Sequence, residues 1–444
     1  MHEQLREHLR LARFVLRWLL LCVPLAALVG SAVALFLTSL DYVTQLHWRH
    51  PWLLYLLPVA GAVSGWIYRQ WGGTAERGNN LILEQIHEPG GGVPARMAPM
   101  VLGGTLLTHL FGGSAGREGT AVQMGGSLAS TLGALLGLKP HDARILLMAG
   151  VAAGFAAVFG TPLAGTIFAL EVLTRGKLQY EALVPCLLAA VLSDRVTTAW
   201  GVSHTHYDME FGRDVLQTLN GPLFAKVVVA ALAFGLASVL FISGSHGVQR
   251  LLRRWVAIDW LRPAVGGAAV VLLTLAVGDR DYLGLGVSAP PAAPHAVTIQ
   301  SCFREGGAAW SSWWWKLAFT ALTVGSGFKG GEVTPLFFIG AALGNTLGVM
   351  LGAPVDLMAG LGFVAVFAGA TNTPLACTLM AIELFAPGHG GLMESGFVVY
   401  AATACFLSYF LSGQTSVYSA QRSLLTDEAS PLSPLPDHGE RDQG

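Results

Sequence analysis

Glu118 stands in Gly112-Gly113-Ser114-Ala115-Gly116-Arg117-Glu118-Gly119-Thr120, directly ahead of an apolar span. Glycines at that density imply backbone that is not simple helix. A helix starting there presents free N–H groups, a ready seat for an anion. A carboxylate at such a seat competes with the anion for it. Ionised, it takes the seat; protonated, it leaves, so one residue can couple anion and proton movement. Helix capping or pairing with Arg117 is the plainer alternative, and the residues alone leave both open. Its counterpart Glu332 lies in Gly325-Ser326-Gly327-Phe328-Lys329-Gly330-Gly331-Glu332-Val333-Thr334-Pro335. Pro335 suits the first turn of a helix, which would turn the N–H groups of Glu332, Val333 and Thr334 inward. The Thr334 hydroxyl is a donor for an anion or for Glu118. A charge at the centre of a membrane costs about 2.5–3.5 kcal/mol even on the mild scale. Two central glutamates therefore imply use or pairing, unless Glu332 lies nearer the interface.

Three further groups invite the same question. Gly72-Gly73-Thr74-Ala75-Glu76-Arg77-Gly78-Asn79-Asn80-Leu81-Ile82 is a third Gly-rich break, where the amides of Asn79 and Asn80 offer uncharged donors. An ordinary turn fits it as well. Tyr418, in Ser416-Val417-Tyr418-Ser419-Ala420, follows the last long apolar span and reads on its own more readily as an interfacial ring than as a ligand. Glu171 and Glu383, at matching helix ends, read as interfacial or scaffold-pairing groups.

The elements that position these residues are membrane helices. Of 444 residues, 53% are hydrophobic and 12% charged, where a soluble domain carries about 25% charge. Lipid must cover much of the surface. Apolar runs recur at 18–40, 52–70, 97–112, 119–138, 145–173, 181–200, 222–243, 262–277, 314–325, 333–352, 357–386 and 392–412. Several are shorter than the roughly 20 residues of a full crossing, and many are cut by Gly or Pro. The 55 glycines allow close helix approach and broken backbone beside a cavity, which suits transport better than anchoring.

An internal repeat organises the chain. Phe155-Ala156-Ala157-Val158-Phe159-Gly160-Thr161-Pro162-Leu163-Ala164 aligns with Phe367-Ala368-Gly369-Ala370-Thr371-Asn372-Thr373-Pro374-Leu375-Ala376. Thr166, Ala169 and Glu171 then meet Thr378, Ala381 and Glu383. Thr131–Gly137 matches Thr346–Gly352, and Gly116–Thr120 matches Gly330–Thr334. The first half starts behind Arg6, Arg10, Arg13 and Arg17. The first span of the second half ends at Arg250, Arg253 and Arg254. With basic loops cytoplasmic, those two spans cross in opposite directions. The expected fold is an all-α polytopic membrane protein of two inverted-topology repeats with broken and re-entrant helices, and a site near the midplane. The expected divisions are a cytoplasmic basic N-terminus (1–17), a first repeat (18–205), an extracytoplasmic linker (206–220), a second repeat (221–425) and a disordered cytoplasmic tail (426–444).

Other classes are disfavoured. Net charge is −1, so there is no basic footprint for nucleic acid. Cys22, Cys186, Cys302, Cys377 and Cys405 show no metal or redox spacing and read as reduced core residues. No cofactor is implied. The first apolar run is too long for a signal peptide and reads as a retained helix. His87-Glu88 begins like a zinc-protease motif, but Gly91 stands where the second His is needed, so no enzyme is expected. Trp310, Trp313, Trp314 and Trp315, with Lys316, read as an interfacial belt.

In this order the pieces resemble the CLC family of chloride channels and anion/proton antiporters, over residues 18–423. Gly116-Arg117-Glu118-Gly119 is similar to the family's gating-glutamate motif, and Gly330-Gly331-Glu332-Val333-Thr334-Pro335 to its second filter motif. Gly160-Thr161-Pro162-Leu163-Ala164-Gly165 and Val417-Tyr418-Ser419 resemble further landmarks. The departures are Thr120 for the usual Pro, Gly78-Asn79-Asn80-Leu81 for Gly-Ser-Gly-Ile-Pro, Val172 for the internal proton-transfer Glu, and Glu332-Val333-Thr334 for an apolar triplet. All resemble the fluoride/proton antiporter branch. The resemblance implies Glu118 as outer gate and proton carrier, Tyr418 as inner gate, and Asn79 and Thr334 as anion contacts beside Glu332 and Val333. It also implies a homodimer in a bacterial inner membrane, both termini cytoplasmic, exporting fluoride against protons. A chloride/proton antiporter or passive chloride channel of the same fold is the alternative.

Overall fold

The computed structural model describes residues 2–205, 207, 209, 220–385, 396–413 and 415–423. The 426–444 tail and most of the 206–220 linker lie outside the described residues.

The first half runs α1 (His2–Arg49), α2 (Leu57–Ile67), α3 (Asn79–His87), α4 (Met97–Leu110), α5 (Glu118–Leu135), α6 (Pro140–Phe159), α7 (Pro162–Glu171) and α8 (Leu183–Ala199). The second runs α9 (Gly221–Trp255), α10 (Arg262–Val277), α11 (Ser312–Gly325), α12 (Val333–Leu351), α13 (Val355–Thr371), α14 (Pro374–Phe385) and α15 (Phe397–Ser412). A two-residue parallel pair, Thr174–Arg175 with Arg422–Ser423, ties the end of the second half to the first. Among the described residues, seven helical segments are long and apolar enough to cross a membrane. Exposed Leu20, Leu35, Leu272 and Phe410 face the lipid side. This is an all-α polytopic membrane protein of two inverted repeats, with broken helices.

Two of the long apolar runs are broken at equivalent points. The 145–173 run splits into α6 and α7 at Gly160, and the 357–386 run splits into α13 and α14 at Asn372. Both residues are left-handed, at φ 74° and 59°. A proline opens each following helix, where its missing N–H is not needed. The run at 18–40 belongs to a helix extending well beyond it at both ends.

The glycines permit backbone-to-backbone crossings at equivalent places. A Cβ on Gly125 of α5 would lie 2.1 Å from the Gly150 carbonyl of α6. A Cβ on Gly340 of α12 would lie 2.0 Å from the Gly362 carbonyl of α13. Phe155 and Phe367, aligned by the repeat, stack with centroids 6.4 Å apart.

The contact between α7 and α14 is reciprocal. The Glu171 carboxylate, at the end of α7, accepts from Leu375 N–H (3.1 Å) and Ala376 N–H (2.8 Å) at the start of α14. Glu383 of α14 accepts from Leu163 N–H (2.9 Å) and Ala164 N–H (2.8 Å) at the start of α7. Each glutamate satisfies orphan donors of the other helix. The exchange is what a two-fold relation between the halves requires.

Lys316 departs from the belt expectation. It is fully buried, donating to the carbonyls of Gly284 (2.8 Å) and Tyr282 (3.2 Å), with the Phe338 ring centre 5.3 Å away. Its spacing on α11 places it on the inward face, opposite Trp314. Trp310 and Trp314 remain exposed.

Candidate functional site

Two Gly-rich loops, one from each half, pair across the centre. Gly116 N–H donates to the Gly331 carbonyl and Gly331 N–H to the Gly116 carbonyl, both at 2.6 Å. No side chain fits either position. A Cβ on Gly116 would lie 2.8 Å from a Glu118 carboxylate oxygen, and one on Gly331 would lie 2.9 Å from Gly119 N. This pairing sets the first turns of α5 and α12 against each other.

Glu118 opens α5 and is 1% exposed. Its Oε2 accepts from the N–H groups of Thr334 (3.0 Å) and Arg117 (3.1 Å). Its Oε1 accepts from the Thr334 hydroxyl at 2.5 Å, and Arg117 Nε stands 3.6 Å away. Hydrogen bonds to a charged group contribute about 1.5–3 kcal/mol each. A partly buried helix N-terminus adds up to about 2 kcal/mol. Together they offset the several kcal/mol that burying a carboxylate costs. The same donors would hold any small anion.

The other expected site residues gather unevenly around this point. Thr334 supplies two of the three donors, its N–H and its hydroxyl. Val333 is buried beside it but makes no hydrogen bond to Glu118 among those described. Glu332, the N-cap of α12, is half-buried. Asn79 opens α3, and its Nδ2 lies 3.2 Å from where a Cβ on Gly119 would stand. Its Oδ1 is buried without a hydrogen-bond partner. Asn80 is structural, its Oδ1 accepting from Ala420 N–H at 3.0 Å. That bond holds the Tyr418 loop against α3, with Val417 N–H donating to the Ala370 carbonyl (3.0 Å). Tyr418 is buried and within electrostatic range of Glu332 and Glu118. Of the departures noted in sequence, Thr120 shares a hydrogen bond with Thr105 (2.7 Å). The Val172 carbonyl accepts from Gln421 (3.0 Å).

A vestibule of about 620 Å³ leads to Glu118, lined among others by Thr44, His47, His109, His204 and Arg280. Beyond Arg117 lies a void of about 10 Å³ that touches Glu118 and Thr334, walled by Phe159, Phe337 and Phe363. Thr205 and Tyr207 also line that void. Sequence reasoning missed both, because they sit at the start of the linker with no glycine motif or repeat partner. His109 was missed as well; its two ring nitrogens face the carbonyls of Thr105 (2.9 Å) and Ala115 (3.0 Å). The arrangement can bind a small anion between two helix starts, and it places an ionisable group in the same seat.

A family model described as voltage gated chloride channel matches residues 60–413. A chloride/fluoride channel protein of Pseudomonas syringae pv. tomato is 47% identical over 422 residues, covering 94% of this chain and 88% of its own length. A solved CLC-type fluoride/proton antiporter superposes with a TM-score of 0.83 at 34% identity, over 92% of this chain and 98% of that one. A slow cyanobacterial Cl⁻/H⁺ antiporter shares the fold, with a TM-score of 0.72 at 20% identity over 94% and 99% of the two chains.

Proposed function

We propose that this chain, which belongs to the voltage-gated chloride channel (CLC) family, exchanges fluoride for protons across the membrane and so exports fluoride. The family is one of ion channels and transporters, not enzymes. The observation that carries the reading is the Glu118 carboxylate seated on donors of Thr334 and Arg117. An anion that displaces it needs Glu118 to move, and a protonated Glu118 gives up its charge-assisted bonds most easily. Proton and anion then take turns at one place.

Fluoride suits the seat because it is small and accepts strong hydrogen bonds, and the donors are amides and a hydroxyl. Asn79 stands beside the seat with an unsatisfied amide oxygen. Its Nδ2 already lies 3.2 Å from where a Cβ on Gly119 would stand, so its N–H₂ is the donor at hand for an anion. In this reading Glu118 is the outer gate and proton carrier. Tyr418 is the inner gate. Asn79, Glu332, Val333 and Thr334 line the anion path between them. The working unit is a homodimer in a bacterial inner membrane, with residues 18–205 and 221–425 as its two repeats, both termini in the cytoplasm and the 206–220 linker outside.

Proteoliposomes loaded with fluoride and followed by a fluoride electrode, with and without a proton gradient, test the reading. Fluoride should leave far faster than chloride, with protons moving inward. Equal rates for both anions overturn the selectivity. The relative named as a channel favours one rival, passive conduction. An anion current at imposed voltage with no pH change would establish it.

A further inference from the structure

The narrow void on the vestibule side of Glu118 has features that the gating glutamate does not account for. Its volume, about 10 Å³, is about what a single water needs, and fluoride is close to water in size. Arg117 lines it, and Arg117 Nε is buried, 3.6 Å from Glu118 Oε1 but with no hydrogen bond to it or to any other group. Such a donor calls for an occupant. Tyr207 lines it too, and its ring is held in place. It stacks on Phe303 at 5.7 Å and meets Phe363 and Phe385 edge-on at 5.2 Å and 6.1 Å. The phenol lies within electrostatic range of both Arg117 and Glu118. Thr205 adds a hydroxyl. Arg117 and Thr205 also line the vestibule, so the two cavities are neighbours that share a wall.

We propose that Arg117, Thr205 and Tyr207 form a second, outer site for a small dehydrated anion, distinct from the seat that Glu118 occupies. It rests on reading that seat as an anion seat. The guanidinium supplies charge, and each of the two hydroxyls has one O–H to donate. The aromatic wall keeps further water out, which selects an occupant no larger than one water. An anion in the outer site faces Glu118 directly. Ionised Glu118 repels it; protonated or displaced Glu118 does not. The outer site therefore fills when Glu118 has taken its proton or left its seat, and it parks the departing ion while the exchange completes.

Calorimetric titration of the purified full-length protein with sodium fluoride tests this. Glu118→Ala opens the seat, and that variant should bind two fluoride ions per subunit. Adding Tyr207→Phe or Thr205→Val should weaken one of the two by about 10-fold, the loss of one hydrogen bond to a charged partner. The other should stay unchanged, and each variant should melt where Glu118→Ala melts. A loss in either double variant supports the outer site. A single fluoride in Glu118→Ala, or two undiminished sites in both double variants, overturns it. Fluoride efflux by the unaltered protein judges the transport reading separately. Efflux with only one binding equivalent sinks the outer site alone, and two equivalents without efflux sink the transport reading alone.

Discussion

Glu171 and Glu383 stand at opposite ends of an antiparallel helix pair, each capping the helix that carries the other. Four backbone donors at two helix starts depend on two side chains, one from each half. Replacing either glutamate with alanine strands two N–H groups. Each change should cost about 1–2 kcal/mol, in the range of a lost N-cap, with the larger cost at Glu171, which is the more buried. Thermal unfolding in detergent measures this. Unaltered melting in both variants would show that the α7 and α14 starts find other acceptors.

Removing the charge at Glu118 separates the two fluxes. Glu118→Gln keeps the shape of the side chain but cannot carry a proton through the cycle. Fluoride movement should continue without pH change when both are recorded on the same vesicles. Proton movement that survives in this variant would remove Glu118 from the coupling role.

Thr334 offers a hydroxyl and a backbone N–H to the same carboxylate. Thr334→Val deletes the first and keeps the second. The loss of about 1.5–3 kcal/mol should weaken fluoride binding roughly 10- to 100-fold. Thr334→Ser should restore most of it. A valine variant that binds as the unaltered protein does, with the serine variant weakened, would show that the methyl group, not the hydroxyl, matters.

Asp281 lies beyond the end of α10, in the loop that lines the vestibule. Burial pushes its carboxyl up to about 6, against the Val297 N–H that favours the ionised form. The folded value stands above the unfolded one, near 3.9. Its contribution to stability is therefore complete below about pH 4 and is lost as pH rises through about 6. Asp281→Asn keeps an acceptor for Val297 and does not titrate. Relative to the unaltered protein, it should gain stability between pH 4 and pH 7. Melting curves across that range would show parallel lines if Asp281 were not responsible.

The fold was legible where the two halves carry the same local chemistry. Thr-Pro-Leu-Ala marks both helix breaks, and Gly160 and Asn372 take the same left-handed turn there. Of the two readings of Glu171 and Glu383, interfacial or scaffold-pairing, the second describes them: each caps the other's helix. The position of Glu118 against Thr334 followed from glycines that leave helix starts bare. What stayed hidden depends on tertiary neighbours. Lys316 sits in a tryptophan cluster that looks interfacial, and only the folded chain shows it facing the carbonyls of Tyr282 and Gly284. Tyr207 and Thr205 border a polar linker, so no period or motif points them at Glu118.

The mutual backbone bonds of Gly116 and Gly331 stitch the two halves together directly beneath the Glu118 carboxylate. Pulling the halves apart there would strand two N–H groups and two carbonyls in the interior, at about 1–3 kcal/mol for each orphan. The cheaper motion is rotation about the few bonds of Glu118 and its neighbours. A turnover of this protein should thus be written in torsion angles, and two frames of its cycle could share nearly every Cα position.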